Sequence, residues 1–230
     1  MDDLSFRDRS LFVQGTGSLV VADVHVGRDE ASSVEFPLGE RADLRERLDA
    51  LVTFFEPSEV VFAGDVLHSF SHVSDGARAN LRALVDSCRE AGARPVLVVG
   101  NHDTHLGDVW DGELYESYRL ADGTVVCHGH EEPEPDAPRY ILGHDHPAID
   151  IEGRRRPCYL FGEGTYRDAD VVMLPAFNRL AAGVAVNEMR TSDFQSPLVT
   201  DVDALRPVVY DDDSHETLRF PPLGEFRRML

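Results

Sequence analysis

The stretch Pro95-Val-Leu-Val-Val99, followed at once by Gly100-Asn101-His102-Asp103, decides how this chain is read. Apolar residues in an unbroken run, not at alternate positions, suit a strand covered on both faces, as in a parallel sheet flanked by helices. The same arrangement recurs upstream. Ser18-Leu-Val-Val-Ala22 stops at Asp23-Val-His25, and Glu59-Val-Val-Phe-Ala63 stops at Gly64-Asp65. Between these runs, Leu44, Leu48, Leu51, Val52 and Phe55 fall at helical spacing from Glu40 to Phe55, and Pro57 closes the segment. Leu81, Leu84, Val85 and Cys88 predict a second helix from about Gly76 to Ala91, with Gly92 as its stop. Strand, helix, strand, helix, strand implies parallel βαβ units.

Farther along, the apolar segments shorten and long helices disappear. Gly123 to Cys127, Arg139 to Leu142, Cys158 to Phe161 and Val171 to Leu174 predict a second, more antiparallel sheet packed on the first. After Thr191 the signals weaken to further strands and a terminal helix around Gly224 to Leu230, and Asp211-Asp-Asp213 reads as a solvated turn. No repeat or low-complexity linker divides the chain, so residues 1–230 are expected to form one domain.

Composition narrows the setting. Forty-two acidic residues against 22 basic ones give a net charge of −20, and every basic residue is arginine. Such a surface repels itself and nucleic acid in ordinary salt. At about 1 M salt the Debye length falls to roughly 3 Å and screens that repulsion, so a halophilic, molar-salt cytoplasm is the expected environment. There is no run of about 20 apolar residues to span a bilayer and no signal-like N-terminus, which predicts a cytoplasmic protein without membrane contact. Cys88, Cys127 and Cys158 are too scattered for a disulfide framework or a Cys-x-x-Cys site and read as small buried hydrophobes.

Five polar clusters follow apolar runs: Asp23-Val-His25, Gly64-Asp65, Gly100-Asn-His-Asp103, His128 and Gly143-His-Asp-His146. Each alone has a bland reading as a turn or a core histidine. Together they have little structural reason to coexist, because burying so many polar groups is costly unless something satisfies them. Loops at the carboxyl ends of parallel strands are where α/β sheets gather ligands. Imidazole, carboxylate and carboxamide without thiolate suit divalent manganese, with iron or zinc as alternatives. A carboxylate can bridge two such ions roughly 3.5–4 Å apart, between which water loses a proton and becomes a nucleophile.

The five clusters, in this order over residues 23–146, resemble the signature of the calcineurin-like metallophosphoesterases. Asp23-Val-His25-Val-Gly27 and the block Leu174-Pro-Ala-Phe-Asn178 to Asn187 look most like the archaeal branch related to the SbcD repair nuclease, and also like bacterial ligase-associated endonucleases. The resemblance implies an α/β fold, a four-layer α-β-β-α sandwich of two mixed sheets flanked by helices. It implies two divalent metal ions: Asp23, His25 and His146 holding the first, Asn101, His128 and His144 the second, and Asp65 bridging them. His102 would sit over the scissile phosphate and protonate the leaving oxygen, with Asp103 orienting it.

Other residues stay open. His130 is an alternative to His128 as ligand. His68 or His72, just after Asp65, could line the mouth of the site, whereas His105 and His215 read as structural or exposed. Arg154-Arg-Arg156, the only basic run, reads as a solvated hairpin turn that could alternatively contact phosphate. The expected activity is a phosphodiesterase related to nucleases, acting on a phosphate ester and plausibly nucleic acid. The alternatives are a phosphomonoesterase or cyclic-nucleotide phosphodiesterase, and a scaffold of the same fold that has lost catalysis. The complete ligand set argues against the scaffold, and the position of His102-Asp103 after a strand argues against a helical HD-type phosphohydrolase. A homodimer is suggested by base rates alone.

Overall fold

A computed structural model describes residues 1–29, 39–68 and 72–228. The first six strands are β1 (Leu4–Arg7), β2 (Ser10–Val13), β3 (Ser18–Val21), β4 (Glu59–Ala63), β5 (Arg94–Val98) and β6 (Leu114–Tyr115), and they form one sheet in sequence order. β3 to β6 run parallel, as the βαβ pattern predicts, and β1 and β2 add an antiparallel hairpin. Helices α1 (Glu40–Phe55) and α2 (Asp75–Glu90) connect the parallel strands. Ser74 caps α2 by accepting the Ala77 N–H at 2.9 Å, satisfying a donor the first turn leaves open.

The remaining strands are β7 (Ser117–Arg119), β8 (Val125–Cys127), β9 (Arg139–Leu142), β10 (Pro147–Ile151), β11 (Arg154–Pro157), β12 (Tyr159–Tyr166), β13 (Ala169–Met173), β14 (Val184–Ala185), β15 (Arg206–Asp211) and β16 (Glu216–Arg219). Seven of them make a mixed sheet in the order β16-β15-β12-β13-β9-β8-β7, and β11-β10-β14 form a small third sheet. Within the larger sheet only β8–β9 and β9–β13 are parallel.

Alternation along the strands explains the layers. Val60 and Phe62 of β4 pack under the helices with Leu44, Leu48, Leu81 and Leu84, whereas Val61 and Ala63 join Ile141, Tyr159, Phe161 and Val172 between the two sheets. With both faces covered, the strands read as continuous apolar runs. Leu44 and Leu48 are completely buried, and cutting either to alanine would cost roughly 2–5 kcal/mol.

The outer face of the second sheet is covered differently from the first. Phe194, Leu198, Val202, Leu205, Leu223 and Phe226 pack there from short turns and a one-turn helix, α3 (Leu223–Phe226). The fold is the expected α/β sandwich, but its fourth layer is thin and irregular. Arg154–Arg156 lie on strand β11, with the turn at Glu152 and Gly153 instead. Arg155 pairs with Asp150 and Arg156 with Asp211. All three cysteines are free and buried, and burial pushes the Cys88 thiol up to about 12. Among the described residues no helix is long and apolar enough to cross a membrane.

Candidate metal centre

The loops after β3, β4 and β5 leave the first sheet, and those after β8 and β9 leave the second. They meet at one end of the sandwich. Asp23, His25, Asp65, His144 and His146 all adopt positive φ, between 45° and 75°, a conformation that is costly for side-chain-bearing residues and found where the surroundings enforce it. Here the enforcement is close packing of one loop on the next. A Cβ on Gly100 would stand 2.3 Å from Asp65 Oδ1, and one on Gly143 would stand 2.3 Å from Asp23 Oδ2. Those two motif glycines are therefore places where a ligand carboxylate takes the room of a side chain.

The donor atoms fall into two clusters. In the first, His146 Nε2 lies 3.2 Å from both Asp23 Oδ1 and His25 Nε2. In the second, His128 Nε2 lies 3.0 Å from Asn101 Oδ1 and 3.1 Å from His144 Nδ1. Asp65 stands between them. Its Oδ1 is 3.4 Å from His128 Nε2 and its Oδ2 is 3.9 Å from His25 Nε2. His130 is not in this convergence; its ring packs beside His128 at 5.2 Å.

A single imidazole N–H cannot satisfy several acceptors at once, yet His128 Nε2 faces three ligand atoms. Buried polar atoms left in this state are expensive, and cations placed among them would remove the deficit. The donor set therefore fits two divalent ions. Among the described residues three groups are close enough to hold an ion: Asp23, His25 and His146; Asp23, Asp65 and His128; and, at the opening, His25, His68 and His102.

Electrostatics agrees. Burial pushes the metal-free Asp65 carboxyl up to about 8, and the Asp23 charge adds to the effect. Burial likewise presses His25 down to about 3 and His128 down to about 4, leaving both in the neutral, ligating form. Asp23 remains low: burial is the largest influence and acts to raise it, but the hydrogen bond from His146 and the charges of His146, His128 and His25 together outweigh it.

His102 Nε2 is 3.8 Å from Asp65 Oδ2, and 23% of the His102 side chain remains exposed, so it lies at the open side of the donor atoms, grouped with His25 and His68. His68 stacks on it with ring centres 5.8 Å apart and meets His25 edge-on at 5.2 Å. Of the two candidates for the mouth, His68 lines it. Asp103 was expected to orient His102. Its buried carboxylate accepts the N–H groups of Val66, Leu67 and Gly100 at 3.1, 2.8 and 2.8 Å, so it ties the Asp65 loop to the loop that carries His102.

Three supports escaped the motif reading. Asn178, 1% exposed, donates to the carbonyls of Val24 and His25 at 2.9 and 3.2 Å and to Glu40 Oε1. Glu40 also accepts the Gly27 and Arg28 N–H groups, and burial lifts its pKa to about 7. Asp145 accepts the N–H groups of Gln195 and Ser196, fastening the His144–His146 loop to the C-terminal cover. A polar residue just beyond an apolar run was the one signal available for Asn178.

Residues 18–178, more than half of the chain, match the family described as calcineurin-like phosphoesterase. The chain belongs to that family. Among solved structures, the nuclease MPE of Pseudomonas putida is similar, with a TM-score of 0.64 and 25% identity over 88% of each chain. The E. coli phosphoesterase Yfce has a TM-score of 0.44 and 13% identity, over 87% of this chain and 96% of that one. No curated protein matches the chain.

Proposed function

We propose that this family member is a dinuclear-metal phosphodiesterase acting on nucleic acid, working as one domain over residues 1–230 in a molar-salt cytoplasm. The observation that carries the reading is Asp65, whose two oxygens face separate donor clusters. Asp23, His25 and His146 would hold one divalent cation, Asn101, His128 and His144 the other, and Asp65 both; manganese suits this donor set. Two cations there would supply Lewis acidity at the phosphoryl oxygens and water acidic enough to attack phosphorus near neutral pH.

The chain's own residues do the rest. His102, at the opening, faces the scissile phosphate and delivers a proton to the departing oxygen. Asp103 fixes the backbone from which His102 projects, and Asn178 with Glu40 fixes that of His25. Kinship with the Pseudomonas putida nuclease supports a phosphodiester in nucleic acid over a monoester, and the Asp23–Gly27 and Leu174–Asn187 blocks support placement near the SbcD-related branch. The acidic, lysine-free composition supports a halophilic host.

The test is hydrolysis of an aryl phosphodiester by metal-stripped protein in molar potassium chloride, with and without manganese, beside a His102→Ala variant. Manganese-dependent turnover that the variant loses upholds the reading. No turnover by folded protein with any divalent metal sinks it.

A further inference from the structure

We propose that the groove between α2 and the loop following His102 is a track for single-stranded nucleic acid, with Trp110 as its stacking platform and Arg78, Arg82 and Arg89 as its phosphate contacts. The inference rests on the phosphodiesterase reading and says where the strand lies as it leaves the centre.

The end of the groove nearest the site is the first turn of α2, where Arg78 lines the first cavity. Ala77, in the first turn of α2, stands so near Gly27 that a Cβ there would lie 3.1 Å from it, two residues beyond His25. Its opposite wall is the segment directly following His102-Asp103, to which Arg78 donates a 3.0 Å bond at the Asp108 carbonyl. From there a cavity of about 270 Å³ runs along α2 from Arg78 to Arg89, and one of about 520 Å³ continues past the end of the helix to Arg94 and Pro95, the two sharing Arg89, Trp110 and Gly112 in their walls.

Charge distinguishes this face. The whole chain carries nearly two carboxylates per arginine, whereas the first cavity sets Arg78, Arg82 and Arg89 against Asp86, Asp108 and Asp111. One of those acids, Asp108, is engaged by His105 at 3.0 Å. Arg82 is exposed and makes no ion pair among the described residues. Arg89 meets Asp86 only at 3.7 Å, with both side chains more than half exposed, and such a pair yields readily. A polyanion therefore meets less repulsion here than over the chain's average surface.

Trp110 is the only tryptophan of the chain, and its ring is held before any ligand arrives. Nε1 donates to the Glu113 carbonyl at 3.1 Å, and the ring lies so close over Gly112 that a Cβ there would stand 2.5 Å away. The Arg89 guanidinium sits 5.7 Å from the ring centre. A fixed indole beside an arginine binds bases of any sequence by stacking. Stacking also survives the molar salt that screens phosphate contacts, which suits a protein of this composition.

Two measurements test the track. The emission of Trp110, with no other tryptophan to obscure it, should be quenched when an oligothymidylate is titrated into manganese-loaded His102→Ala protein. In an otherwise unaltered chain, Arg82→Ser with Arg89→Ser should lower the ratio of oligonucleotide to aryl-phosphodiester kcat/KM at least tenfold, through KM. Emission unmoved at concentrations the wild type cleaves, or an unchanged ratio, overturns the track. Failure of aryl-phosphodiester hydrolysis would strike the phosphodiesterase reading instead, and the emission titration would still judge the groove.

Discussion

The side-chain amide of Asn178 reaches back 153 positions to donate to the carbonyl oxygen of His25 at 3.2 Å. The same nitrogen serves Val24 and Glu40, so one buried residue holds the turn that gives His25 its positive φ. Asn178→Ala would strand several buried acceptors, a loss of about 1–3 kcal/mol. The expected result is a lower melting temperature together with weaker manganese binding by calorimetry. Unaltered metal affinity would remove Asn178 from the support of the centre.

Gly143→Ala should be as damaging as loss of a ligand. The new methyl would overlap Asp23 Oδ2 at 2.3 Å, so either the carboxylate or the His144 loop must move. Metal stoichiometry measured on the purified variant should fall below two ions per chain. A variant that still retains two ions would show the loops to be more yielding than their packing indicates.

His102→Ala should behave differently from both. If His102 is the proton donor and not a ligand, as proposed, folding and metal content should persist while kcat falls roughly 10²–10⁴-fold, the range for a lost general acid. Steady-state kinetics beside a metal assay separates the cases. Parallel losses of metal and rate would make His102 a ligand.

Removing metal should make stability depend on pH in a definite direction. Folded, metal-free Asp65 titrates at about 8 and Glu40 at about 7, both above their unfolded values. The folded state therefore holds more protons than the unfolded one, and stability declines as pH rises toward 8. His25 and His128, depressed to about 3 and about 4, act oppositely but only below about 6.5, where the unfolded imidazoles take up protons. Between pH 6.5 and 8 the carboxyl groups decide. The melting temperature of stripped protein should fall across that window, and manganese should raise it more at pH 8 than at pH 6.5. A flat profile for the stripped protein would contradict the assignment.

Much of this was legible in the chain because burial on both faces leaves β3, β4 and β5 as unbroken apolar runs, each ending abruptly in polar residues. The hairpin of β1 and β2 was not, since it turns at Asp8 and Arg9, both at positive φ, and Arg9 stands where glycine would have announced the turn. Arg154–Arg156 read as a turn because an exposed edge strand can carry charges at every position; its pairing with β10 and the partners Asp150 and Asp211 are tertiary facts. The convergent side chains advertised themselves by type and order. The supporting roles of Asn178, Glu40 and Asp145 did not, because they act through backbone groups distant in sequence.

Each donor cluster draws on both sheets: Asp23 and His25 face His146, and Asn101 faces His128 and His144. Neither sheet alone carries a complete set. A chain emerging from the ribosome therefore has no hydrolytic machinery when its first hundred residues are out. Nor is it finished when His146 appears, because β12 and β13, which complete the bed beneath that loop, come later. Both donor clusters therefore come into being in one late event, when the second sheet closes on the first.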